Sequence, residues 1–159
     1  MDELLMMLEK NSKLSTKQLA AALGREEADI QAAIENYEKN GTILKYTTII
    51  NKENLNEDHV TALIEVKISP QLGDGYDRIA QRIYQYDEVD SLYLMTGSYD
   101  LLVSMTVGTM KEAAAFVYTH LAAIEGVSST STRFVMRKYK EQSAVLIKNP
   151  TQEEGGIFI

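Results

Sequence analysis

The chain has 159 residues, 45% hydrophobic and 25% charged, the composition of a globular protein with room for one domain or two small ones. It contains no cysteine, which excludes disulfide frameworks and thiolate metal sites and fits a reducing cytosol. The net charge of −7 argues against broad, non-specific affinity for nucleic acid. An exposed charge acts over only about 8–10 Å at physiological salt, however, so the placement of basic residues matters more than their sum.

From the N-terminus, Leu4, Leu5 and Leu8 fall on one face of a first helix. The run Leu4-Leu5-Met6-Met7-Leu8 is too short to span a bilayer and follows Asp2 and Glu3 rather than lysines. Neither a signal peptide nor an anchor is expected, and the protein is expected in the cytoplasm, away from membranes. Ser15 is a good N-cap for a second helix, with Gln18 completing a capping box. That helix buries Leu19, Ala20 and Leu23 and stops at Gly24. A third, from about Glu26 to Asn40, gathers Ile30, Ala33, Ile34 and Tyr37 on one side and ends at Gly41.

The spacing Thr16-x-x-x-Ala20-x-x-x-Gly24, followed by Ile30 and Ala33, is that of a helix-turn-helix. Two crossing helices need a small residue where they touch, and the turn needs one tolerant of positive φ. A helical hairpin in a bundle favours the same residues. The succession Gly41-Thr42-Ile43-Leu44-Lys45-Tyr46, which reads as the start of a β-ribbon wing, favours a winged helix-turn-helix over residues 1–50. Its third helix would enter the major groove of double-stranded DNA. The candidate DNA contacts are Ser15, Thr16, Lys17, Arg25, Glu27, Gln31, Lys39 and Lys45, with Lys13 and Asn36 as further polar groups. Residues 1–50 hold six Lys or Arg against eight Asp or Glu. Affinity for DNA comes largely from phosphate neutralisation, so binding per half-site is expected to be weak and to need dimers or larger assemblies.

Residues 51–59 are polar and read as a linker. Beyond them Val60 to Ile68 alternates as a strand, and Gly75 to Tyr86 is a helix burying Tyr76, Ile79, Ala80 and Ile83. Val89 to Met95 and Asp100 to Val107 are strands around the turn Thr96-Gly97-Ser98-Tyr99. Lys111 to Ile124 is a helix with Ala114, Val117 and Leu121 on its face, and Val127 to Tyr139 is a long last strand. The order βαββαβ over residues 60–148 predicts a ferredoxin-like domain, making the whole an α+β protein. A tail, residues 149–159, ends in Gly155-Gly156-Ile157-Phe158-Ile159 and could dock on a neighbouring subunit or stay loose. The sheet face away from the helices is expected to carry Leu63, Leu92, Leu94, Leu102 and Phe134, a surface that invites a dimer. Arg133, Arg137, Lys138 and Lys140 read as a solvated edge. His59 and His120 lie far apart in the chain, and no metal-ligand cluster, P-loop or nucleophile elbow occurs. Neither an enzyme nor a cofactor is expected.

These residues together resemble the Lrp/AsnC (leucine-responsive, feast/famine) family of transcription regulators, from about Met1 to Lys140. The likeness rests on Leu14-Ser15-Thr16-Lys17-Gln18-Leu19-Ala20 with Leu23-Gly24, and on Glu38-Lys39-Asn40-Gly41-Thr42-Ile43. It continues in Thr96-Gly97-Ser98-Tyr99-Asp100-Leu101-Leu102-Val103, and in Gly126-Val127 with Thr130-Ser131-Thr132. The resemblance implies a homodimer assembling to a tetramer or octamer, with a small effector, usually an amino acid, bound where dimers meet. Carried over by position, Thr96, Gly97, Tyr99, Asp100, Thr130, Ser131 and Thr132 would line the effector site. The plainer reading is that Gly97 makes the hairpin and Asp100 caps it. Ala32 and Ala33 stand where the family places arginines, and Glu26-Glu27-Ala28-Asp29 replaces its serine or proline run. The chain could therefore have an altered operator preference, or act by joining oligomers with a more basic relative.

Overall fold

The computed structural model describes residues 2–69 and 75–147. The chain divides into two compact units that part between Ile50 and Asn51. In unit 1, α1 spans Glu3–Lys10, α2 Thr16–Leu23 and α3 Glu27–Lys39. Leu4, Leu8, Leu19, Ala20 and Ile30 form its buried core, with Leu23, Ala33, Ile34, Tyr37 and Ile43 packed around them.

Local chemistry sets these boundaries. The Ser15 hydroxyl accepts from the Gln18 N–H at 3.2 Å while the Gln18 carbonyl accepts from the Ser15 N–H at 2.9 Å, so two donors at the start of α2 are satisfied reciprocally. α2 ends at Gly24, which is left-handed at φ 62° and ψ 34°, and three residues separate it from α3. The expected wing is not formed. Residues 44–50 have no partner strand among the described residues, and Leu44 is 87% exposed. The β-prone composition did predict extended backbone. A ribbon also needs a return strand, and the chain instead turns through a short 3-10 segment at Lys52–Asn54.

In unit 2, β1 spans Val60–Ile68, α4 Gly75–Tyr84, β2 Val89–Leu94, β3 Leu101–Val107, α5 Met110–Phe116 and β4 Val127–Phe134. The sheet is antiparallel in the order β2-β3-β1-β4, which is the ferredoxin-like arrangement. Its helix-covered face contributes Ala62, Ile64, Val66, Leu101, Val103 and Met105 to the core, against Ile79 and Ile83 of α4 and Ala113 and Phe116 of α5.

Three expectations are corrected here. α5 passes directly into a π turn, Val117–Leu121, so its buried residues are Ala113, Phe116, Leu121 and Ile124. A wider turn breaks the 3.6-residue phase, which is why Ala114, expected inside, is exposed. The last strand stops at Phe134, short of Tyr139. A two-residue hairpin follows, Lys140–Glu141 (β5) with Ala144–Val145 (β6), turning through Gln142 and Ser143 at φ 41° and 71°. Finally, register places Leu92 opposite Val103, Leu94 opposite Leu101 and Phe134 opposite Ala62, all on the helix side. The open face keeps Leu63 and Leu102 but adds Tyr93, Ser104, Ser131, Glu65 and Arg133, and is more polar than expected. Residues 149–159 lie outside the described residues. Among the described residues no helix is long and apolar enough to cross a membrane.

Candidate functional site

Two sets of residues were singled out, one in each unit. In unit 1, Ser15, Lys17, Arg25, Glu27, Gln31, Lys39 and Lys45 are exposed, and Thr16 is half-buried. The fold brings Thr16 and Glu27 together: the Thr16 hydroxyl donates to the Glu27 carboxylate at 2.5 Å, tying the first turn of α2 to the first turn of α3. One turn further along α3, Gln31 Nε2 donates to Glu35 at 2.9 Å. Ala32 is exposed, whereas Ala33 packs against the core. Arg25, in the turn, lies within electrostatic reach of Asp2 and Tyr37. Lys39 ends α3 and Lys45 sits on the extended run, apart from the others.

Two side-chain links in this unit have no signature in the sequence. The Tyr37 hydroxyl donates to Asp2, and the Tyr46 hydroxyl donates to Glu38 at 2.9 Å. They join residues 35 and 8 positions apart, the first bringing the start of α1 to α3 and the second folding the extended run after α3 back onto it. The Tyr37 bond, then the Leu4 N–H, hold the Asp2 carboxyl below its ordinary 3.8, while the same bond pushes the Tyr37 phenol above 10.0. Desolvation and then the Glu38 bond raise Tyr46 likewise. A depressed acid contributes stability above its unfolded value and loses it as pH falls through the folded one. A raised phenol contributes fully below 10.0 and loses it as pH climbs through the folded value. Unit 1 should therefore weaken both below pH 3.8 and above pH 10.0, and Tyr37→Phe should flatten the acid edge and part of the alkaline one. Thermal unfolding of wild type and variant across that range measures it; identical pH profiles would refute the role given to this pair.

In unit 2 the Thr96–Asp100 turn joins β2 to β3, with Gly97 at φ 123°, a backbone geometry that disfavours any side chain. Asp100 is half-buried and already engaged. Its Oδ2 accepts from the Ile68 N–H at 2.7 Å and its Oδ1 from the Tyr76 hydroxyl at 3.4 Å. Its own N–H donates to the Val66 carbonyl at 3.0 Å, fastening the turn to the end of β1. The Asp100 carboxylate is thus engaged outside the hairpin, with β1 and α4. Thr130 and Thr132 pair with Val66 and Ile64 and face the helices, while Ser131, opposite Glu65, faces the other way. The seven candidate effector residues are therefore not all on one side of the sheet. Tyr99 acts electrostatically on Arg133, which lies on the open face bonded to Glu65 at 2.8 Å. That bond pushes Arg133 further above its ordinary value.

A groove lies near the turn. Tyr76, Asp77, Ala80 and Tyr84 of α4 and Val89, Leu92 and Leu94 of the edge strand β2 enclose a groove of about 400 Å³, floored by Leu101 next to Asp100. Tyr76 both lines this groove and bonds Asp100. Tyr76, expected on the buried face of its helix, is exposed, although its helical spacing reads as core. The expected solvated edge is also more structured than charge alone implies: Lys138 pairs with Glu141 at 3.1 Å and the Arg137 guanidinium lies 5.5 Å from the Tyr139 ring centre. His120 packs with tilted rings against Tyr86 and Phe116, ring centres 4.6 and 5.2 Å away, a packed histidine as its apolar helix implies. Among the described residues no group of three or more His, Asp or Glu could hold a metal ion.

Comparison with known proteins bears on both units. A family model for the Lrp/AsnC ligand binding domain matches residues 61–145. The HTH-type transcriptional regulator YugG of Bacillus subtilis is 36% identical over 144 residues, 90% of this chain and 87% of that protein. The HTH-type transcriptional regulator FL11 of Pyrococcus furiosus is 28% identical over 142 residues, 89% of this chain and 91% of its own. Among solved structures, a transcriptional regulator from Neisseria meningitidis in complex with L-Met superposes with a TM-score of 0.71. It is 23% identical, and the match covers 89% of this chain and 93% of that one, a likeness of fold.

Proposed function

Because the chain belongs to the Lrp/AsnC family of transcriptional regulators, we propose that unit 1 binds double-stranded DNA through α3 and that unit 2 binds an amino acid that sets assembly or DNA affinity. The observation that carries the DNA part is the left-handed Gly24 turn, which holds α2 and α3 together while leaving Gln31, Ala32 and Glu35 exposed. Ser15, Thr16, Lys17, Arg25, Glu27, Gln31, Lys39 and Lys45 are its contacts, the cations for phosphate and the amide and carboxylate for base edges.

The effector reading rests on the Thr96–Asp100 turn and the groove beside it. A volume of about 400 Å³ suits one amino acid, with apolar walls for a side chain and Asp77 and Asp100 close by for an ammonium group. The Neisseria structure holds L-Met, which supports this ligand class. Thr130 and Thr132 join from the neighbouring strand, and Ser131 serves the open face. Copies pair into homodimers and then tetramers or octamers in the cytoplasm, which multiplies the weak affinity of each half-site. The relatives matched are transcription regulators, and no catalytic step is needed.

Fluorescence anisotropy of the full chain with duplex from its own upstream region tests the DNA part. Binding should weaken steeply between about 50 and about 200 mM salt, and Lys17→Ala should lower affinity for all duplexes evenly while flattening the log–log salt slope by about 1. No binding at low salt and micromolar dimer would overturn it. A second reading is favoured by the acidic side chains on α3, Glu27, Asp29, Glu35 and Glu38: the protein could instead be an effector-binding partner in hetero-oligomers with a basic relative. Tight, specific DNA binding by the homo-oligomer would eliminate that reading.

A further inference from the structure

The outward face of α3 has an unusual make-up for a DNA reader. Ile30 is buried and Ala33, Ile34 and Tyr37 pack against the core, so the helix turns the opposite face, Ala28, Gln31, Ala32 and Glu35, to solvent. In a helix-turn-helix the first half of the second helix meets the base edges, and Ala28, Gln31 and Ala32 all lie there. None of these three is an arginine or lysine, and Lys39, in line with them, stands only at the far end of α3, so the commonest readout of guanine is missing from the first half of this face.

Small apolar groups and an amide remain. Ala28 and Ala32 are one helical turn apart, about 6 Å along the axis, roughly two base-pair steps. A β-methyl at each position makes a small apolar surface, and the apolar feature in the major groove is the thymine C5-methyl. Gln31 stands beside them. Glu35 takes one of its amide hydrogens, which fixes the side-chain plane and leaves the second N–H and the carbonyl for the N7 and N6 positions of adenine. Glu27 is held in turn by Thr16 at the entrance to the same face. Two of the acidic residues that count against DNA binding thus have defined partners at the base of the reading surface.

We infer that α3 selects A·T pairs in the major groove by packing Ala28 and Ala32 on thymine methyls and setting Gln31 against an adenine edge, with Glu35 as the positioning residue for Gln31. This inference rests on the proposal that unit 1 binds DNA.

The experiment is selection from a random duplex pool with the full-length protein, followed by affinity measurement on the selected site and on copies in which single thymines are replaced by deoxyuridine. Deoxyuridine pairs as thymine does but lacks the methyl. At the contacted positions affinity should fall about fourfold per methyl, the worth of one buried methyl-sized group. In Ala32→Ser that difference should shrink toward onefold, with an unchanged melting temperature showing that the fold is kept. Glu35→Ala, which removes the acceptor, should relax selection at the adenine position without altering the thymine effect, whereas Glu35→Gln, whose carbonyl can still accept from Gln31, should keep it. A selected site whose affinity ignores deoxyuridine at every position would overturn the inference while leaving DNA binding intact. Failure to enrich or bind any duplex at low salt would overturn both.

Discussion

Replacing Ile30 by alanine should unfold unit 1 and abolish DNA binding while unit 2 stays folded. Ile30 is fully buried where α3 crosses the other helices, in a core that has five buried side chains among the described residues. Truncating a buried isoleucine to alanine costs about 2–5 kcal/mol, because apolar burial is lost and the cavity closes only in part. A unit of this length is expected to have a stability of about 3–7 kcal/mol in total, so the loss is of the same order as the whole. Calorimetry of the full chain should show an early, small transition in the variant and an unshifted later one from unit 2. Anisotropy should show no duplex binding above the early transition. Ile34→Ala, at a partly buried position, should cost less and serves as the graded comparison. An Ile30→Ala variant that keeps the wild-type unit 1 transition and wild-type duplex affinity would mean that unit 1 does not rest on this core.

Much of this architecture was legible because particular residues answer to local rules. Ser15 and Gln18 specify a helix start by reciprocal bonds that need only three residues of separation, and Gly24 specifies a left-handed stop. Alternation in Val60–Ile68 set the buried parity of β1 correctly, since a strand has two faces and hydrophobic residues choose one. What failed was non-local. The phase of α5 could not be carried past Phe116, because a π turn adds a residue that the apolar pattern absorbs without showing it. The side of the sheet taken by Leu92, Leu94 and Phe134 depends on register with β3 and β1, and β2 shifts register between Val89 and Ser91. A run rich in isoleucine and threonine, residues 43–50, marks extended chain but says nothing of a partner strand. The candidate effector residues divide for the same reason: Thr130-Ser131-Thr132 is one motif in the sequence, but in a strand it must point to two faces. The Tyr76–Asp100 bond and the groove beside it arise from α4 meeting the β2–β3 turn, a juxtaposition that exists only after folding.

Asp100 is where structural and ligand roles can be separated. Asp100→Ala should lower the stability of unit 2 by about 2–3 kcal/mol, since it removes a charge-assisted bond of 2.7 Å and leaves the Ile68 N–H without its acceptor near the buried end of β1. Loss of ligand binding in that variant would not discriminate, because the turn itself would be disturbed. Asp100→Asn does discriminate. Its amide carbonyl can still accept from Ile68, so most of the stability should remain, while the negative charge that would hold an ammonium group is gone. A thermal-shift screen of the twenty amino acids on the wild-type oligomer, repeated on both variants with sizing, gives the comparison. If Asp100 contacts the effector, the asparagine variant keeps nearly the wild-type melting temperature but loses the shift produced by the active amino acid, at least tenfold in concentration dependence. If the asparagine variant responds to that amino acid as wild type does, Asp100 has a structural role alone, and the ammonium must be held elsewhere, with Asp77, which lines the groove, as the next residue to replace.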